Sequence, residues 1–224
     1  MAYVLKRPPG HAALLVVLLV LIVVSPMVPA DGSSFILELL FDLVLLAGVR
    51  SVGPSPHRIP FLLLTVLTLG IRWGEEFTGT NVLDTSALGI TVVWLVYANF
   101  IIVAHLFQRR EVTVNTIFGS IVTYLLIAIA FSLVFQVIEL RDPGSFSGLP
   151  GAGPTSRGEL ESALMYYGLV CFTTMGFGDI VPVSSLARSL SALAGVFGQL
   201  YLAVMIARLV GLHIAHQTRA NHDS

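Results

Sequence analysis

The sequence predicts an all-α membrane protein: six transmembrane helices and one shorter helix that enters the bilayer and returns. Three observations predict it. Hydrophobic residues make up 55% of the 224-residue chain and charged residues only 11%. A soluble domain carries about 25% charge, so this chain cannot cover a globule with polar side chains. Six apolar runs approach the roughly 20 residues that a membrane helix needs, and a seventh is too short to cross. The same composition excludes a disordered chain. A net charge of -1 gives no nucleic-acid footprint. A single cysteine, Cys171, excludes an intramolecular disulfide and any cysteine-rich metal site.

The first run, Ala12 to Val28, follows Lys6 and Arg7. It also has the basic start and small residues of a cleaved signal peptide, but it is long for that purpose and its loss would leave an odd number of spans. The second, Ser34 to Val49, contains Glu38 and Asp42. These lie four residues apart, on one helix face. Intramembrane carboxylates are functional suspects, and the plainer expectation is pairing within the bundle, with Arg72 as the nearest candidate. The third run, Pro60 to Trp73, carries that arginine. The fourth, Ser86 to Gln108, has no Lys or Arg, and the fifth, Val112 to Ile138, has no charge. The sixth is Leu190 to Ala207.

Between the last two lies Leu160 to Phe172. About 13 residues reach about 20 Å as a helix, less than the roughly 30 Å of a hydrocarbon core, so a re-entrant helix is expected. The preceding loop, Leu140 to Gly158, is rich in Gly and Pro. Ser156 and Glu159 have the spacing of a capping box at its end. Two regions follow: residues 1–110 as a four-helix scaffold and 111–224 as a second unit. With both termini in the cytoplasm, eight basic residues fall inside and four outside, the direction the positive-inside rule requires.

The chemistry is concentrated after the short helix, in Thr173-Thr174-Met175-Gly176-Phe177-Gly178-Asp179. Glycines at alternate positions let the backbone adopt conformations closed to other residues, so successive carbonyls can point one way. Irregular backbone at membrane depth must be buried in protein or line water. Several copies around one axis would stack rings of carbonyl oxygens able to replace a cation's water shell. The negative end of the short helix's dipole would favour a cation there.

TTMGFGD resembles the filter of the potassium channel family, and the likeness extends from the fifth span to the sixth. The whole chain is also similar to small bacterial six-span potassium channels that lack a charged sensor helix. The resemblance implies a homotetramer in membrane lipid with one potassium-selective pore, no cofactor beyond the permeant K+, no small-molecule substrate and no catalysis. It implies ion sites at Thr174, Met175, Gly176 and Phe177, with Gly178 at the outer mouth. Thr173, Asp179, Tyr166 and Tyr167 would support the filter, and Gly198 would be an inner-helix hinge with Gly195 one turn above. Met175 stands where Val or Ile is usual. Phe177 stands where Tyr is commoner, so a hydroxyl that can tether the filter is missing. Met175, by altering how the filter packs, keeps open a poorly selective cation channel.

Gln199 is an amide in an apolar span, with Leu202 and Ile206 on its stripe. It is expected either to face a water-filled cavity or to bond an adjacent helix. A reading of a different class takes Gly176-Phe177-Gly178-Asp179 as part of an intramembrane aspartyl protease with Asp42 as the second carboxylate. That reading lacks a span around the motif. His213 and His216 share a helix face and lack a third ligand, so a solvated helix end is expected.

Overall fold

The structure is a computed structural model that describes residues 10–27, 34–52, 57–78, 81–108, 113–150 and 157–222. Its elements are α1 (Gly10–Val24) with a 3-10 turn (Ser25–Met27), α2 (Ser34–Val52), α3 (Arg58–Thr78), α4 (Asn81–Gln108), α5 (Val114–Arg141), β1 (Phe146–Ser147), α6 (Arg157–Phe172), β2 (Val181–Pro182) and α7 (Ser185–His222). Each predicted run forms a helix over most of its described residues. Among the described residues, three helical stretches are long and apolar enough to cross a membrane by themselves: Ser86–Gln108, Val114–Arg141 and Ser185–Leu212. The first three predicted spans fall short of that standard. Helix α1 has 15 residues before its 3-10 turn, and the other two interrupt their apolar sequence with Glu38, Asp42 and Arg50, or with Arg58, Arg72, Glu75 and Glu76. Lys6, Arg7, Arg109, Arg110 and the Ser156 cap lie outside the described residues.

Helix α5 is the organising element. Thr113 caps its start: its side chain accepts from the Thr116 N–H, and the Thr116 hydroxyl returns the bond. Helix α5 packs on α1, α4, α6 and α7. Two buried clusters result. The scaffold cluster joins Leu14 and Leu18 of α1, Leu45 of α2, Phe61 of α3 and Trp94 of α4 to Val122 and Leu126 of α5. Trp94 is wholly buried, donates to the Thr65 hydroxyl at 2.8 Å and packs on the Phe61 ring at 4.9 Å. The other cluster gathers Phe135, Phe146, Leu164, Tyr167, Phe172 and Ile180 beneath the 173–179 segment.

Two charges of the scaffold are matched to each other. Arg72 Nε lies 3.4 Å from Asp42 Oδ1, both side chains nearly buried. Trp73 donates to Asp42 Oδ2 at 3.0 Å, and the guanidinium lies over the Phe41 ring at 5.4 Å. The pairing expected from the sequence is therefore present. At the far end of the bundle, Arg208 of α7 donates to the Leu106 carbonyl of α4 and stacks over Phe107 at 4.6 Å. A cation there complements the negative end of α4.

Candidate functional site

Helix α6 is seated on α5 by close backbone approach. A Cβ on Gly168 would lie 2.0 Å from the Ser132 hydroxyl, so only glycine fits. Ser132 Oγ lies 3.0 Å from the Ala128 carbonyl and 3.3 Å from that of Met165, so it bridges the two helices. Gln136 donates to the Glu161 carbonyl at 3.4 Å. After Phe172 the chain folds back over the helix end. Thr173, Thr174 and Met175 donate their N–H groups to the carbonyls of Leu169, Cys171 and Val170 at 2.9, 3.0 and 3.0 Å. The Thr173 hydroxyl also bonds Leu169 at 2.7 Å. These bonds satisfy helix-terminal carbonyls and set the direction of the strand that follows.

That strand alternates in backbone handedness. Thr174, Gly176 and Gly178 have φ of 59°, 59° and 79°, whereas Met175 and Phe177 do not have positive φ. Alternation of this kind turns successive peptide units the same way, gathering like-signed groups on one side. Two of the three left-handed positions are glycine, which adopts them without steric cost. Thr174 is β-branched, and its left-handed conformation is strained by about 1–3 kcal/mol. Residues 174–179 are all exposed in the isolated subunit, so no part of the same chain covers the strand.

The outer half is braced by aromatic residues of α6. Tyr166 donates its hydroxyl to Asp179 Oδ2 at 2.7 Å, and its ring is stacked on Phe177 with planes 3° apart and centroids at 6.3 Å. The Tyr166 hydroxyl holds the Asp179 carboxyl below its ordinary range. Tyr167 turns the other way: its hydroxyl meets Ser191 of α7 at 2.7 Å and its ring contacts Phe135 and Phe146. Cys171 is half-buried behind the strand. Beyond the strand, β2 pairs antiparallel with β1, Phe146 opposite Pro182 and Ser147 opposite Val181.

At the inner end, Gln199 of α7 donates from Nε2 to Thr174 Oγ1 at 2.8 Å. Both side chains are exposed in the isolated subunit, as are Leu202 and Ile206 on the same stripe. Gly198 sits against the end of α6: a Cβ there would lie 1.8 Å from the Phe172 carbonyl oxygen. The helix runs unbroken through this position. The structure thus gives Gly198 a packing reason of its own, beside the hinge that the resemblance implied. Gly195 has ordinary clearance, 3.6 Å to the Cys171 carbonyl.

Sequence reasoning singled out Tyr166, Tyr167 and residues 173–179 but missed Ser191 and Ser132 as their neighbours. Each carries a small polar group in or beside an apolar helix, a signal too common to single them out. Asp42 and Asp179 have separate partners, Arg72 and Trp73 for the first and Tyr166 for the second. Among the described residues no group of three or more His, Cys, Asp or Glu is placed to hold a metal. The side chains of His213 and His216 lie outside the described ones.

Residues 156–213, from α6 through the alternating strand into α7, match the family model described as an ion channel. No curated protein and no solved structure matches the chain.

Proposed function

We propose that this ion-channel segment is the pore-lining part of a potassium-selective channel in which four copies of the chain surround one axis. The observation that carries the reading is the exposed strand 174–178, alternating in handedness at the end of a helix too short to cross a membrane. Four such strands would present rings of carbonyl oxygens, with the Thr174 hydroxyl below them, in place of a cation's water shell. The ion would pass down its electrochemical gradient with no bond made or broken, so no enzymatic step is involved.

The assembly has its own support. Only 17% of the most apolar stretch of α7 is buried within the subunit, against 50% for α4 and 56% for α5. Helix α7 carries the strand's inner neighbour, Gln199, and its uncovered surface is where other copies would pack. We assign residues 111–224 to the pore unit and 1–110 to a scaffold that completes six spans by bundling α1, α2 and α3 against α4 and α5. Both termini are assigned to the cytoplasm.

The test is the reversal potential of the purified full-length chain in a planar bilayer with potassium on one side and sodium on the other. A value near the potassium equilibrium potential is expected. A value near zero would select the poorly selective cation channel that Met175 keeps open. Absence of current would remove the pore reading. Gly176→Ala adds a Cβ at a left-handed position, and should abolish selectivity while tetramers persist.

A further inference from the structure

We infer that the four Gln199 carboxamides of the assembled pore form an additional cation-binding ring directly beneath Thr174, taking a partly hydrated monovalent cation before it reaches the strand. This rests on the tetrameric pore proposed above. A carboxamide has two N–H donors and one oxygen acceptor on a single rigid plane. The bond from Gln199 Nε2 to Thr174 Oγ1 at 2.8 Å fixes that plane at the inner end of the strand. Oε1 is the other end of the same carboxamide, beyond the bonded Nε2, on a residue of α7 that its own chain leaves exposed.

The chemistry of this oxygen matches that of the carbonyls above it. An amide oxygen is a neutral, hard ligand of the same kind as a backbone carbonyl, suited to a weakly charged cation that must later be released. The Thr174 hydroxyl accepts from Gln199 with one of its two lone pairs and keeps the other for an ion. Below Gln199 the stripe continues through Leu202 and Ile206, exposed and apolar, which offer no ligand. Among the described side chains of this stripe, Gln199 carries the first oxygen that an ion approaching along it would meet. The ring would hold a cation while water is exchanged for protein oxygen, a step that limits ion supply when ions are scarce.

A positioning role alone, in which Gln199 only pins the Thr174 side chain, makes a different prediction. Gln199→Leu removes both the donor and the oxygen. Gln199→Glu removes the donor, keeps the shape and supplies more strongly ligating oxygens. The experiment is single-channel recording from the full-length chain, with ions entering from the side on which α7 ends. At about 20 mM potassium, where delivery limits current and charge is little screened, Gln199→Leu should lower unitary current about threefold. Gln199→Glu should raise it above wild type at the same concentration, and the three should converge at high potassium.

A Gln199→Glu channel that falls with Gln199→Leu would overturn the ring in favour of pinning. Wild-type current from Gln199→Leu at low potassium would also overturn it. If the leucine variant does not assemble, the glutamate variant decides alone, and equality with wild type counts against the ring. A wild-type chain that passes no cation current fails earlier, at the pore reading, which separates the two failures.

Discussion

Gly198→Ala separates a packing role from a hinge at the point where α7 crosses the end of α6. The new Cβ would start 1.8 Å from the Phe172 carbonyl oxygen and 2.9 Å from its carbonyl carbon, both backbone atoms that no rotamer change can move. Contacts under 3.0 Å are essentially never seen, so α7 and the end of α6 must separate by roughly 1.2 Å. Overpacking of this kind costs about 1–3 kcal/mol. Replacing glycine by alanine inside a helix returns about 1 kcal/mol of propensity. Because the clash is with backbone, the upper part of the range applies and a net loss of about 1–2 kcal/mol is expected.

Gly195→Ala, one turn earlier on the same helix, is the matched control. Its Cβ would meet the Cys171 carbonyl at 3.6 Å and a Thr174 methyl at 3.7 Å, so it gains propensity without a clash. The assay is the thermal midpoint of the detergent-solubilised assembly. With about 2–4 °C per kcal/mol for a chain of this size, Gly198→Ala should melt about 2–8 °C lower, and Gly195→Ala at or above wild type. The displaced Phe172 immediately precedes Thr173, so in the proposed pore Gly198→Ala should also lower selectivity for potassium. A Gly198→Ala midpoint equal to wild type, with only open probability altered, would refute the packing argument and favour the hinge.

Arg72→Leu should destabilise the scaffold by about 3–5 kcal/mol by leaving Asp42 buried and unpaired, whereas Arg72→Leu with Asp42→Leu should recover most of it; a double-mutant cycle on thermal midpoints reads the coupling. The Asp179 carboxyl lies below its ordinary range in the folded chain, so its contribution is full above the unfolded pKa and is lost as pH falls through the folded one. Tyr166→Phe removes the bond responsible, so acid loss of current from the outer side should begin at a higher pH than in wild type; identical profiles would separate Tyr166 from the titration. Conductance should depend only weakly on voltage. The fourth span has no Lys or Arg, Arg72 is held by Asp42, and steep gating needs several charges at about 2.3 kcal/mol each per 100 mV. A steep conductance–voltage curve would contradict this.

The sequence made some of these features legible and hid others for identifiable reasons. The short helix and the strand could be read because the helix length and the glycine alternation are local patterns. The Asp42–Arg72 pair was legible because two opposite charges in adjacent apolar spans have few other partners. Helix ends were read less well. Apolar sequence on α7 stops at Arg208, whereas the helix continues to His222, because polarity marks the edge of a membrane and not the end of a hydrogen-bonded helix. The partner of Gln199 was open between water and another helix. Its bond to Thr174 crosses a reversal of 25 residues, and no period or spacing links the two positions. Gly168 and Ser132 are hidden likewise, since close approach depends on where two helices cross.

Phe177 raised the expectation that the strand loses a tether, and the structure answers it from several directions. Tyr166 holds the Phe177 ring by stacking and Asp179 by a hydrogen bond, so one side chain fixes the exposed positions on either side of Gly178. The next residues are held by the loop that precedes α6. Glu139 accepts the N–H groups of Gly144 and Phe146 at 2.7 and 3.0 Å, which ties the start of that loop to α5. The β1–β2 pairing and the Val183 N–H to Ser145 carbonyl bond at 2.7 Å carry the hold to the strand's exit. From α5 the path runs through Glu139, β1, β2, the strand and α6, and returns to α5 at Ser132. It is a closed circuit of hydrogen bonds and packing within one subunit. A strand clamped at both ends by its own chain does not depend on a hydroxyl at position 177 for its shape. That position is therefore free to be apolar, while the backbone handedness at Thr174, Gly176 and Gly178 is retained.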